Sequence, residues 1–142
     1  MLQFELVTLD GTKLSEEVYE VRLPTPQGEI GVFTNHAPLV SVAVPGVITV
    51  KRGAGDPPAK FELFATNGGV IEVVEGKVRV LVDEADRSDE INEQEVQKAY
   101  ERAQAMRAEA KDQVSLDKAQ SLIDRHAVRL QVAGLRRRHP RR

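Results

Sequence analysis

Val78-Arg79-Val80-Leu81-Val82-Asp83-Glu84-Ala85-Asp86-Arg87-Ser88-Asp89-Glu90 is the stretch whose reading decides the fold. Val78, Val80 and Val82 recur with the period of two that marks a half-buried strand. From Asp83 to Glu90 the residues are almost wholly polar, and after them no glycine occurs until Gly134 and no proline until Pro140. The hydrophobic period changes across this stretch. Val96, Ala99, Ala103, Met106 and Ala110 recur at intervals of three and four, as do Leu116, Ala119, Ile123, Ala127 and Leu130, which is the spacing of one helical face. The acids Asp83, Glu84, Asp86, Asp89 and Glu90 lack the glycine and ligand alternation of a calcium loop, so the stretch reads as a solvated linker.

Upstream, the alternation repeats in short segments. Leu2, Phe4 and Leu6 alternate with polar neighbours, Tyr19, Val21 and Leu23 precede the break from Pro24 to Pro26, and Val40, Val42 and Val44 precede Pro45-Gly46. Glu75-Gly76 has the composition of a tight hairpin turn, Asn67-Gly68-Gly69 marks another turn, and Gly53 to Pro58 reads as a polar hairpin loop. Many short antiparallel strands at such spacing imply a sandwich or barrel. Downstream, two helices break near Asp112 to Ser115 and form an antiparallel hairpin. Asn92 with Glu95 has the spacing of a capping box for the first helix, and Ser115 suits the N-cap of the second. The expected division is a β domain over residues 1–87 and a helical hairpin with a basic tail over 88–142. Alanines in both stripes predict a hairpin held weakly to itself and to the β domain, because an alanine buries far less surface than a leucine.

The chain has 142 residues, 41% hydrophobic and 30% charged, enough to bury a core. Its least polar run, Ser41 to Val50, is about half the length of a spanning helix and is interrupted by Pro45 and Gly46, so no membrane insertion is expected. The start at Met1-Leu2, with Glu5 and Asp10 close by, lacks the features of a signal or transit peptide. No cysteine is present, which removes disulfides and thiolate chemistry. The formal charge of −2 is unevenly spread. Residues 115–142 hold eight Lys and Arg against two Asp, a net +6, which leaves −8 for the rest. A positive end suggests an acidic partner.

Catalytic patterns are missing. Gly76-Lys77 has Ile71 where a phosphate-binding loop needs glycine, and Val78 where it needs Ser or Thr. His36, His126 and His139 are too scattered to bind a metal as a helical pair, and His126 reads as an ordinary helix-surface residue. The end from Arg136 to Arg142 could attract a nucleic-acid backbone, but it carries no interleaved aromatic residues for base stacking. A disordered solubilising tail and a contact with an acidic protein surface are the other readings of it. No catalytic residue, metal ligand or cofactor is assigned.

A second stretch carries a likeness: Thr25-Pro26-Gln27-Gly28-Glu29-Ile30-Gly31-Val32-Phe33-Thr34-Asn35-His36-Ala37-Pro38-Leu39-Val40, followed by Pro45-Gly46-Val47. It resembles the G-x-x-G-x-x-x-x-H-x-P-L and P-G elements of the epsilon subunit of F-type ATP synthases, the counterpart of the mitochondrial delta subunit. Asn67-Gly68-Gly69-Val70-Ile71-Glu72-Val73 looks like that family's S-G-G-x-x-E-V, and the likeness spans nearly the whole chain. It implies a sandwich of about ten strands that binds the gamma subunit and the ring of c subunits and turns with them as a non-catalytic central stalk, coupling ion flow to ATP synthesis. Glu29, Gly31, His36 and Pro38 are thereby placed at the gamma and c-ring interface, with His36 toward gamma and Glu29 toward the ring. The setting implied is peripheral, at the cytoplasmic face of a bacterial plasma membrane or the stromal side of a thylakoid.

In this family the helical end restrains ATP hydrolysis by extending into the catalytic head of alpha and beta subunits, where Arg125, Arg129, Arg136, Arg137 and Arg138 have the charge to meet an acidic segment of beta. Some members instead bind ATP in the folded hairpin through I/L-D-x-x-R-A. Asp86, Asn92 and Arg129 fall at positions of that site, but Ile91-Asn92-Glu93-Gln94-Glu95-Val96 replaces its acid, arginine and alanine with Asn92, Glu95 and Val96. A carboxylate where a cation should stand repels phosphate, so the expectation is a brake driven by charge, with ATP sensing and nucleic-acid binding as alternatives.

Overall fold

The computed structural model describes residues 1–138, and in it the period-two segments become strands that bury alternate side chains. Among the described residues there are ten: β1 (Leu2–Thr8), β2 (Gly11–Val18), β3 (Glu20–Thr25), β4 (Gly28–Phe33), β5 (Leu39–Ala43), β6 (Gly46–Lys51), β7 (Glu62–Thr66), β8 (Gly69–Val74), β9 (Lys77–Val82) and β10 (Ala85–Arg87). They form two five-stranded sheets in the orders β2-β1-β9-β8-β5 and β10-β7-β6-β3-β4. All ladders are antiparallel except β1 with β9, which runs parallel.

The space between the sheets is filled by Leu2, Phe4 and Leu6 of β1, Val21 and Leu23 of β3, and Val78 and Val80 of β9. Phe64 and Ile71 complete it, all of these at 0–1% exposure. Each such side chain contributes roughly 1.5–3 kcal/mol, so this interior holds the sandwich together. Gly69, where the chain crosses from one sheet to the other, cannot be replaced without rearrangement. A Cβ there would lie 1.9 Å from the Leu81 carbonyl oxygen.

Several elements depart from the pattern read in the sequence. Val40 and Val42 do alternate, but they face outward at 74% and 56% exposure. β5 is an edge strand, and its register pairs Leu39 with Val73, Ser41 with Ile71 and Ala43 with Gly69, so those three residues take the inner side. Tyr19 lies in the bend between β2 and β3, half-buried, with its ring edge-on to Phe33 at 5.6 Å. The stretch from Asp83 to Glu90 is no solvated linker. β10 pairs with β7, Ala85 and Ser88 are buried, and Ser88–Glu90 forms a 3-10 turn tied to β2 by Lys13 and Glu90 at 2.8 Å.

Helices α1 (Glu93–Glu109) and α2 (Gln113–Arg138) form the hairpin. The Asn92 side chain accepts a hydrogen bond from the Glu95 amide at 3.2 Å, as the capping spacing predicts. The second helix starts earlier than expected. Asp112, not Ser115, is its cap, accepting from the Ser115 amide at 2.7 Å, and that amide holds the Asp112 carboxyl below the usual carboxylate range. Asp is as good an N-cap as Ser, and choosing it gives the helix three more residues, Gln113, Val114 and Ser115.

The apolar faces are thinner and differently placed than the stripes suggest. In α1 only Ala103 is buried, and Met106 is 45% exposed. In α2 Ala127 is exposed, whereas Ala119, Ile123, Val128, Val132 and Ala133 are buried. Ala119 and Ile123 belong to the stripe read in the sequence. Val128 and Val132 form a second face, set against Ala65, Val47 and Leu63 of β7 and β6 and against Ile91. A helix that must meet both a partner helix and a sheet needs two adjacent faces, so a single stripe does not describe it. Arg136, Arg137 and Arg138 form the last turn of α2, where cations meet the negative helix end, and are not a disordered tail. His139 to Arg142 lie outside the described residues.

Candidate functional site

Two separate surfaces collect the residues singled out by the sequence. The first lies where the sheets' edge strands, β4 and β5, are joined by the loop of residues 34–38. Asn35 takes a left-handed φ of 70°, which turns the chain. The His36 amide donates to the Phe33 carbonyl at 3.3 Å, and its Nδ1 lies 2.6 Å from the Ala37 carbonyl oxygen. A ring nitrogen at that distance from a carbonyl is its protonated, donating nitrogen, so the loop orients the imidazole. Pro38 follows, exposed.

Beyond Pro38, β5 presents a row of apolar side chains across the outer face of its sheet. Val42 pairs with Val70, and Val70 with Leu81, and all three are 42–56% exposed. Val40 and Val74 flank the row at 74% and 46%. The row had no sequence signal of its own, because valines on the outer side of a strand have the same spacing as valines on the inner side.

Glu29 and His36 are not brought together. Glu29 stands near the start of β4, about 13 Å along the strand from Phe33 at the rise of a β-strand. It borders a groove lined also by Arg22, Phe61, Leu63, Leu135 and Arg136. Gly31 lies midway between. A Cβ there would lie 2.9 Å from Oε2 of Glu20, so the end of that buried side chain, paired with Arg22 at 3.3 Å, would have to shift to admit one.

The second surface is the seam between α2 and the sandwich. Arg129 Nε donates to Asp86 Oδ2 at 2.6 Å and Arg129 Nη2 to Glu84 Oε1 at 3.0 Å. Arg125 Nε lies 2.9 Å from the same Glu84 oxygen. Arg136 Nη1 donates to the Ser88 carbonyl at 3.0 Å, and Arg137 Nη2 lies 3.0 Å from Glu93. Four of the five arginines expected to meet a partner are therefore held by this chain's own oxygens, and Arg138 is exposed. His126 is no ordinary surface residue. It is half-buried, with Nδ1 3.4 Å from Arg129 Nη1.

Of the three residues at ATP-site positions, the fold joins Asp86 and Arg129 to each other and leaves Asn92 at the helix cap. A phosphate approaching Arg125 or Arg129 would first have to displace Glu84 and Asp86. Glu84, the hub of this cluster, was missed as an isolated linker acid. Its partners lie 41 and 45 positions away, and no local pattern relates residues so distant.

Comparison with known proteins gives a consistent likeness. The family profile for the beta-sandwich domain of the ATP synthase delta/epsilon chain matches residues 1–88. An ATP synthase epsilon chain of Herpetosiphon aurantiacus is 37% identical over 137 residues, covering 96% of both chains. One from Nostoc punctiforme is 33% identical over 135 residues, covering 94% of this chain and 96% of the relative. Among solved structures, a chain of the Euglena gracilis mitochondrial ATP synthase, seen with OSCP, F1 and the c-ring, superposes with a TM-score of 0.78 at 25% identity. That match covers 93% of this chain and 80% of the other.

Proposed function

The chain belongs to the ATP synthase delta/epsilon chain family, and from that premise we propose that it is a non-catalytic central-stalk subunit whose sandwich couples and whose hairpin restrains hydrolysis. The sandwich, residues 1–87, docks on gamma and the c-ring, with His36 and Pro38 toward gamma and Glu29 toward the ring. The observation that carries this is the uncovered row of Val42, Val70 and Leu81 beside the ordered His36 loop. A contiguous apolar strip across the open face of a sheet is the kind of surface that a partner covers.

The hairpin, residues 88–142, is the regulatory part. Its seam on the sandwich combines few buried side chains with surface-grade ion pairs. Such pairs are worth about 0–1 kcal/mol each. An acidic segment of the beta subunit could take over the same arginines at small net cost, which supports a brake that opens by exchanging partners. That Arg125 and Arg129 already face carboxylates favours this charge-driven reading over nucleotide sensing. The peripheral location follows from assembly, and among the described residues no helix is long and apolar enough to cross a membrane.

The deciding experiment is ATP hydrolysis by the assembled enzyme with and without residues 88–142. A higher rate on removal is expected. An unchanged rate overturns the regulatory role, and loss of co-purification with gamma is not expected, because the sandwich remains.

A further inference from the structure

We propose that Glu72 is the charged anchor of the apolar docking strip, and that the partner covering the strip sets a Lys or Arg side chain, flanked by apolar ones, against it. This deepens the reading of that face as the gamma contact and rests on it. Glu72 lies on β8 between Val70 and Val74, and alternation puts all three side chains on the outer side of the sheet, where they are exposed. Across the ladders it faces Val40 on β5 and Arg79 on β9. Val40, Val70 and Val74 thus surround the carboxylate on three sides, at 74%, 45% and 46% exposure.

Arg79 is the cation opposite Glu72 in the ladder, but its side chain is turned the other way. Its Nε donates to Glu5 Oε2 at 3.2 Å, and Lys77 Nζ holds the other oxygen of Glu5 at 3.2 Å. Both basic residues of β9 are therefore drawn to β1, away from β8, and among the described residues no Lys or Arg is paired with Glu72. In water an exposed carboxylate needs no partner. A partner laid over Val42, Val70 and Leu81 also excludes water two residues farther on, about 7 Å along β8 from Val70. A carboxylate stripped of water without a counter-charge strongly opposes association. A cation on the partner removes that penalty. It also fixes the register, because contacts along a row of valines are non-directional and a charge pair is not. The valines supply the area, and Glu72 supplies the specificity.

The test titrates the full-length chain into the catalytic complex that retains gamma but lacks this subunit. Glu72→Gln keeps the size of the side chain and removes its charge, so the dissociation constant should rise roughly tenfold. The affinity lost between about 0.05 M and about 0.3 M salt should shrink in the same variant. Glu72→Lys, which sets like charge on like, should weaken binding by more than about a hundredfold. Glu72 is exposed, so both variants should unfold at the parent's midpoint in the isolated chain. Arg79→Gln identifies the source of the counter-charge. Its affinity should stay within about twofold of the parent's, and a fall equal to that of Glu72→Gln assigns the role to Arg79 and overturns the proposal. Glu72→Gln binding with the parent's affinity and salt dependence overturns it too. Val42→Asp tells the two failures apart. If it abolishes binding while Glu72→Gln does not, the face still docks gamma and only the anchor fails. If Val42→Asp binds like the parent, the docking face lies elsewhere and the anchor fails with it.

Discussion

Arg129 and Asp86 meet at 2.6 Å across the seam between the second helix and the sandwich, joining residues 43 positions apart in the chain. Their side chains are 20% and 29% exposed, so water screens the pair only partly. The contact is placed to hold the hairpin against the sandwich without contributing to the sandwich's own core.

Arg129→Ala should therefore loosen the hairpin and spare the sandwich. The expected cost is about 1 kcal/mol after discounting for exposure. Amide exchange in α2 should quicken several-fold while exchange in β1 and β9 stays unchanged. Raising the salt concentration from about 0.1 M to about 1 M should have a similar, smaller effect in the parent, because the screening length shortens from about 10 Å to about 3 Å. Equal acceleration in helix and strands would contradict this separation.

Val132→Ala tests the apolar half of the seam. Val132 is fully buried against the sandwich together with Val128 and Ala65. Losing two methyl groups there should cost about 1–2 kcal/mol of hairpin closure by lost burial and the cavity left behind. Protease cleavage within α2 should become faster, with the sandwich fragment surviving. Unchanged proteolysis would mean that α2 is held by charge alone.

Two glycines should respond with opposite signs. Gly69→Ala places a methyl group 1.9 Å from the Leu81 carbonyl, backbone against backbone, and should destabilise the sandwich by more than about 3 kcal/mol or prevent folding. Gly134→Ala sits inside α2, with Arg137 Nη2 at 3.7 Å as its nearest neighbour, and should stabilise the helix by about 0.5–1 kcal/mol. Denaturant unfolding of the two variants beside the parent provides the check.

Val42→Asp separates folding from assembly. Val42 is 56% exposed, so the isolated chain should keep its stability to within about 0.5 kcal/mol. Co-purification with gamma should fall sharply, since a carboxylate would be buried in the apolar strip. Intact assembly would move the gamma contact to another face.

Asn92 distinguishes a cap from a nucleotide ligand. Its side chain accepts from the Glu95 amide at 3.2 Å. Asn92→Ala should cost about 1 kcal/mol in α1 and Asn92→Asp should restore it. Calorimetry with ATP should show no submillimolar binding in the parent or in either variant. Such binding in the parent would overturn the charge-only brake.

Much of the architecture was legible before any coordinates. The change of hydrophobic period at Asp83, the inward set of Leu2, Phe4, Leu6, Val78 and Val80, and the Asn92 cap are local patterns. Each depends on residues within a few positions of one another, where strand and helix geometry act directly. The position of His36 within an ordered turn was likewise marked by its neighbours, Asn35 and Pro38.

The rest depended on contacts that no local pattern carries. Alternation placed Val40 and Val42 on one side of a strand but could not say which side, and the pairing of β5 with β8 turned them outward. Helical spacing found one stripe on α2, while the sandwich selected a second through Val128 and Val132. Glu84 and Asp86 read as linker acids until the fold set them against Arg125 and Arg129, and the same docking half-buried His126. The sequence by itself determined which segments are strands and which are helices, because backbone geometry and short-range periodicity are properties of neighbouring residues. Which apolar faces stay open and which charges meet was decided only by the tertiary structure, because burial and Coulomb energy depend on distance in space, and that distance is set by the packing of elements far apart in the chain.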